Sequence, residues 1–179
     1  MQKIFLIGYM GAGKTTIGKR LSQKLNLQFI DLDLFIESRY RKTINELFAE
    51  KGEEHFRDIE RKALLEVSQF ENVVISTGGG TPCFFDNASV MNGLGKTVYL
   101  KISPDELIRR LITGRRDRPL VKDKNKEEME RFIIETLAER EPFYNQAAIV
   151  FDATHLTSDL NHIVEELSLQ LGNGSGNDR

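Results

Sequence analysis

The stretch MQKIFLIGYMGAGKTTIGKRL, residues 1–21, decides the architecture. Lys3 to Ile7 is a short apolar run closed by Gly8, the pattern of a strand buried on both faces. Ile17, Leu21 and Leu25 then recur every four residues, which predicts a helix starting near Lys14. Between strand and helix lies GYMGAGKTT, Gly8 to Thr16, too rich in glycine for either.

Gly8, four intervening residues, Gly13, Lys14 and Thr15 satisfy the Walker A pattern G-x-x-x-x-G-K-[ST]. Its glycines allow backbone conformations that aim successive N–H groups at an anion. The helix behind it adds the positive end of its dipole. Lys14 can reach outer phosphates, and the Thr15 hydroxyl can ligate Mg²⁺. The loop is therefore expected to hold a nucleoside triphosphate, ATP with Mg²⁺. What receives the phosphate must be sought elsewhere.

The alternation continues along the chain. LQFID (27–31), VVIST (73–77), TVYLKI (97–102) and AIVFDA (148–153) read as further strands, five in all. TINE (43–46) is a capping box, with Thr43 followed three residues later by Glu46. From Glu53 to Phe70, Phe56, Ile59, Ala63, Leu64 and Val67 mark one helical face. SPDE (103–106) joins a serine cap, proline at the first helical position and glutamate at the third. EEMERFIIETLAER (127–140) and LNHIVEELSLQL (160–171) read as helices too. Strands alternating with helices imply an α/β fold, a parallel sheet flanked by helices on both faces. TGRRDRPLVKDKNK (113–126) is basic and aperiodic, either a linker or a mobile lid over a site. A single domain over 1–171 is expected, with GNGSGNDR (172–179) a disordered tail.

Bulk properties narrow the class. Twenty-five Lys and Arg against 27 Asp and Glu leave a net charge of −2, which does not suggest nucleic-acid binding driven by bulk charge. The single cysteine, Cys83, can form neither an internal disulfide nor a cysteine-based zinc site, as fits a reducing compartment. The run Ile4 to Ile7 is too short for a signal-peptide core or a membrane span. A cytoplasmic monomer acting on small molecules, away from membranes, is expected.

Three clusters fall where such a sheet delivers ligand-binding groups, at the carboxyl ends of strands. Asp31 and Asp33 end the second strand. Phosphoryl transfer uses one carboxylate near the metal and another near the acceptor hydroxyl. A turn with aspartate as helix cap would look the same. Arg57 and Glu60 share a helix face, either as a grip for a carboxylate or as a solvated ion pair. Gly78, Gly79 and Gly80 leave backbone open to close approach directly after the third strand. Arg118 in RPL (118–120) and Arg140 before Pro142 are weaker signals.

Together these elements resemble shikimate kinases: GYMGAGKTTIG, the aspartates of DLD, Phe56-Arg57-Asp58-Ile59-Glu60, the glycine triplet, RPL, and Arg140 with Pro142 and Tyr144. The resemblance runs from residue 3 to about 170. It implies a five-stranded parallel sheet in a nucleoside-monophosphate-kinase-like three-layer sandwich with a mobile lid. It also implies transfer of the ATP γ-phosphate to the 3-hydroxyl of shikimate, in the pathway to chorismate and the aromatic amino acids. By resemblance, Gly11, Ala12, Gly13, Lys14, Thr15 and Thr16 wrap the ATP phosphates. Thr15 binds Mg²⁺, and Asp31 does so through water. Asp33 binds shikimate hydroxyls and is the candidate base. Arg57 and Arg140 hold the carboxylate, Glu60 holds Arg57, and Gly79 offers backbone to the ring. Phe48 and Phe56 wall the pocket, and Arg118 swings in onto the phosphates. Which of Arg110, Arg115 and Arg116 stacks on adenine stays open, as do the adenine-side residues around Ala153 to His155. One departure is Thr15-Thr16 where Ser-Thr is commoner; the hydroxyl is kept.

Other readings fit less well. A gluconate kinase shares the loop but needs no two arginines aimed at a carboxylate beside a glycine triplet. An adenylate kinase needs base-reading residues for a second nucleotide, and no such motif is present. A guanine-nucleotide switch needs NKxD; the nearest string, Asn125-Lys126-Glu127-Glu128, lacks the aspartate.

Overall fold

The computed structural model describes residues 2–113, 126–154 and 159–173. Each expected strand forms within a residue or two of its predicted bounds: β1 (Lys3–Ile7), β2 (Gln28–Asp31), β3 (Val73–Ser76), β4 (Lys96–Lys101) and β5 (Ile149–Asp152). They make one parallel sheet in the order β2-β3-β1-β4-β5. Ile4 to Ile7 of β1 and all of β3 are buried, as central strands covered on both faces must be. From β1 the chain crosses to β2 on one side, and from β3 it crosses back past β1 to β4. The strand order therefore reverses beside β1. A crevice opens there, at the carboxyl ends of β1 and β3.

Seven helices connect and cover the strands among the described residues. The predicted ones are α1 (Lys14–Leu25), α3 (Ile44–Val67), α5 (Pro104–Thr113), α6 (Lys126–Tyr144) and α7 (Leu160–Asn173). The capping box at Thr43 forms in both directions, with Glu46. Ser103 Oγ accepts from the Glu106 N–H at the start of α5. The two helical signals around residues 43 and 53 fuse into one element bent at Gly52, whose φ of 79° and ψ of 174° are not helical. The bend lets the first half turn Phe48 back onto Phe56, ring centroids 4.3 Å apart.

Three features differ from expectation. A helix, α2 (Leu32–Tyr40), follows β2 directly, although only Leu32 and Ile36 of it are buried. Another, α4 (Asn87–Leu94), is not evident from its short, asparagine- and glycine-containing sequence. And α6 does not end at Arg140 but continues through Pro142 to Tyr144. Proline there forfeits its own backbone N–H bond, yet the Asn145 N–H still bonds the Glu141 carbonyl, and the fully buried Tyr144 anchors the last turn.

Between its end residues Thr113 and Lys126, the segment expected to form a lid lies outside the described residues, as do Arg115, Arg116, Arg118, His155 and positions 174–179. No described helix is long and apolar enough to cross a membrane.

Candidate active site

A cavity of about 570 Å³ occupies the crevice, its walls drawn from the glycine loop, β2, β3 and the start of α3. Met10, Gly11, Gly13, Lys14, Thr15 and Thr16 form the loop side. Gly11 and Gly13 sit at φ 83° and 90°, left-handed conformations that glycine adopts without strain. The Ile17 N–H already bonds the Gly13 carbonyl, so α1 begins at the cavity wall. Lys14 is nearly buried, and its Nζ donates to the Gly8 and Tyr9 carbonyls at 2.7 and 2.9 Å. Ala12, though expected in the site, is not among the lining residues. Its N–H turns to the Tyr9 carbonyl.

Asp31 caps the helix that follows β2 and also reaches the glycine loop. One carboxylate oxygen caps α2 by accepting from the Asp33 and Leu34 N–H groups, at 3.1 and 3.3 Å. The other accepts from the Thr15 hydroxyl at 2.7 Å. A hydroxyl beside a carboxylate offers hard oxygen donors of the kind Mg²⁺ takes while keeping most of its waters. Among the described residues no three His, Cys, Asp or Glu side chains form a metal-holding cluster. The pair therefore suits a cation that arrives with its own ligands rather than an all-protein cage.

Asp33 also lines the cavity. Burial pushes its carboxyl up to about 6, and the nearby negative charges of Asp31, Glu60 and Glu37 push the same way against Lys14. Such a carboxyl is ionised at neutral pH yet basic enough to take a proton from an alcohol in a transition state.

Each glycine of the triplet leaves space for a different neighbour. A Cβ on Gly78 would lie 3.0 Å from Asp33 Oδ1 and 2.9 Å from Glu60 Oε1. One on Gly79 would lie 3.2 Å from the Met10 nitrogen and 3.5 Å from Arg140 Nη1. One on Gly80 would overlap the Arg57 guanidinium, at 2.6 to 2.9 Å. The triplet is thus where Asp33, Glu60, Arg57, Arg140 and the glycine loop meet. Arg57 and Arg140 do not themselves line the cavity; they border it across Gly79 and Gly80.

Arg57 is no solvated surface residue. It is 8% exposed and Glu60 only 1%. Its Nη1 bonds Glu60 at 2.8 Å and its Nη2 bonds the exposed Glu53 at 2.9 Å. The guanidinium lies 4.0 Å from the centroid of the Phe84 ring, with Phe48 and Phe56 farther off at 5.6 and 5.4 Å. Arg140 stands 5.5 Å from the Tyr9 ring centroid. One helical turn on, the Tyr144 hydroxyl donates to the Gly79 carbonyl at 2.6 Å and fixes that peptide. Nearby, burial pushes the Cys83 thiol up to about 11, so it stays protonated and unreactive. On the far side of the loop, Arg110 pairs with Glu106 at 2.6 Å and donates to the Thr154 carbonyl at 3.1 Å.

Sequence reasoning missed Thr81 and Phe84. Thr81 follows the triplet directly, and that position was the available signal. Phe84 sits in an apolar triple, Cys83-Phe84-Phe85, which reads as core.

The family model described as Shikimate kinase matches residues 10–170. A shikimate kinase from Azobacteroides pseudotrichonymphae is 58% identical over 168 residues, 93% of this chain and 98% of that protein. The crystal structure of shikimate kinase from Bacteroides thetaiotaomicron is similar at a TM-score of 0.89 and 52% identity, covering 96% of this chain and 97% of that one. Shikimate kinase from Acinetobacter baumannii in complex with shikimate is 29% identical at a TM-score of 0.81, covering 99% and 96%.

Proposed function

The chain belongs to the shikimate kinase family, and from that premise we propose how its own side chains perform the transfer. It moves the γ-phosphate of ATP to the 3-hydroxyl of shikimate, giving shikimate 3-phosphate and ADP for chorismate and aromatic amino acid synthesis. The observation that carries the allocation is the convergence at the triplet. The basic residues beside Gly79 and Gly80 suit a carboxylate, while Asp33 beside Gly78 suits a hydroxyl, all next to the phosphate loop.

In this reading the loop from Gly11 to Thr16 receives the phosphates, and Lys14 with the start of α1 offsets their charge. Thr15 and, through water, Asp31 would hold Mg²⁺, which would supply positive charge against that of the phosphates. Arg57 and Arg140 grip the shikimate carboxylate, a charge-assisted contact in which planar forks match planar acceptors. Glu53, 57% exposed, is the partner that Arg57 can exchange for substrate, while buried Glu60 keeps its hold. Gly79 presents backbone to the ring, and Phe48 and Phe56 wall it. Asp33 takes the proton of the 3-hydroxyl as that oxygen bonds to phosphorus. The bond from the γ-phosphorus to the bridging oxygen breaks, and its electrons leave on ADP. Arg118, outside the described residues, is assigned to the γ-phosphate by family resemblance. The reducing-compartment reading of the lone cysteine supports the cytoplasm.

ATP consumption should rise steeply with shikimate and stay flat with gluconate or AMP. A reversed preference overturns the reading. With Asp33 at about 6, kcat/KM should be level above pH 7 and fall towards tenfold per unit below pH 6. A profile flat down to pH 5 removes Asp33 as base. Gly80→Ala should push the Arg57 guanidinium aside and raise the KM for shikimate about tenfold, leaving the KM for ATP alone.

A further inference from the structure

We propose that Thr81, held by Asn87, is a positioning residue that sets the orientation of the Arg57 guanidinium through Glu60. The proposal rests on the reading of Arg57 as a grip for the substrate carboxylate, and it extends that grip into a buried circuit.

The circuit starts and ends on α3. Glu60 divides its carboxylate: one oxygen accepts from Arg57 Nη1 at 2.8 Å, the other from the Thr81 hydroxyl at 2.5 Å. The Thr81 carbonyl in turn accepts from Asn87 Nδ2 at 2.8 Å. Asn87 Oδ1 accepts from Arg61 Nη1 at 2.5 Å, and Arg61 Nη2 meets Asp86 at 2.6 Å. Arg61 lies one helical turn beyond Arg57, so the path closes on the element it left. Thr81 and Asn87 are both 0% exposed.

Burial makes the circuit consequential. A carboxylate with 1% exposure is shielded from bulk water, so each oxygen depends on the donors around it. Glu60 reaches Arg57 from the same helix, and that contact alone leaves the carboxylate free to turn about its last torsion. The Thr81 hydroxyl removes that freedom. The Phe84 ring then backs the guanidinium at 4.0 Å, and Gly80 sets no side chain against its Nη1 and Nη2. Arg57 is held by Glu60 at Nη1 and by Phe84 on one face, and its Nε and Nη2 edge pairs with the exposed Glu53. That edge is the one a substrate carboxylate can take.

Thr81 touches neither ATP nor shikimate in this scheme, so its loss should be felt in the grip and not in the chemistry. The test is steady-state kinetics on the full chain, with shikimate and ATP varied separately, for Thr81→Val, Thr81→Ala, Thr81→Ser and Arg57→Ala. Circular dichroism and melting curves identify the folded variants. Valine and alanine should raise the KM for shikimate about tenfold, the usual scale for a hydrogen bond to a buried charge. The KM for ATP and kcat should stay within about twofold, and serine should restore the wild-type KM. If valine fails to fold, alanine carries the comparison. A wild-type shikimate KM in the folded valine or alanine variant overturns the proposal. So does a parallel loss in kcat and both KM values, or a serine variant as impaired as valine. Arg57→Ala separates the two levels of the argument. An unchanged shikimate KM there ends the reading of Arg57 itself; a raised one beside normal Thr81 variants ends only the role of Thr81.

Discussion

Asp33→Asn should lose on the order of a thousandfold in kcat while ATP binding, read by a fluorescent nucleotide analogue, changes less than about twofold. Asparagine keeps the shape and the contacts of the side chain at Gly78 but cannot accept a proton. The same substitution should make the unliganded protein more stable. The folded value for Asp33 is about 6, against 3.8 for the ordinary side chain. Between those values the folded state holds a proton that the unfolded chain has released. Stability therefore falls as pH rises through that window and remains lowered above it. Asparagine has no proton to lose, so the variant should gain on the order of 1–2 kcal/mol at pH 7.5, with the difference vanishing towards pH 4. Lower activity with higher melting temperature is the signature of a carboxylate kept where catalysis needs it and folding does not. A variant with near-normal turnover removes Asp33 from the reaction. One that melts no higher at pH 7.5 contradicts the raised proton affinity.

Arg57→Ala should weaken shikimate by on the order of a hundredfold in kcat/KM, almost all of it in KM. The guanidinium grips a group that does not react, so its contribution is shared by ground state and transition state. Alanine also strands the buried Glu60, which costs stability. Arg57→Lys is the cleaner companion, because it keeps the charge and loses the fork. It too should raise the KM for shikimate by at least about tenfold, with the KM for ATP unchanged. If ATP affinity alone moves in either variant, Arg57 lies at the wrong end of the cleft.

The strands and the glycine loop were legible because their signals are local. An apolar run ending in glycine needs no distant partner to be read as a buried strand, and a Walker A loop carries its ligand chemistry in consecutive residues. α2 was hidden because only two of its nine residues are buried, so it shows almost no periodic face. The Asp31-Asp33 pair fits a catalytic strand end and a helix cap equally well, so its pattern does not decide that a helix begins there. In sequence the glycine triplet reads as open backbone. Its fuller reason is three separate neighbours, supplied by α2, α3 and α6, which no local pattern reveals. Thr81 was invisible for the same cause: its meaning lies in Glu60, 21 residues earlier in the chain. Pro142 misled because a proline normally marks a boundary, and here a buried tyrosine holds the turn beyond it.

One crevice must serve both substrates, with the anionic end of shikimate held away from the phosphates. A crystal structure of the chain with shikimate and ADP tests this most directly. The carboxylate should lie within hydrogen-bond distance of Arg57 and Arg140, and a ring hydroxyl on Asp33 should face the loop at Lys14. A shikimate carboxylate turned to Lys14, with Arg57 and Arg140 empty of ligand, contradicts it.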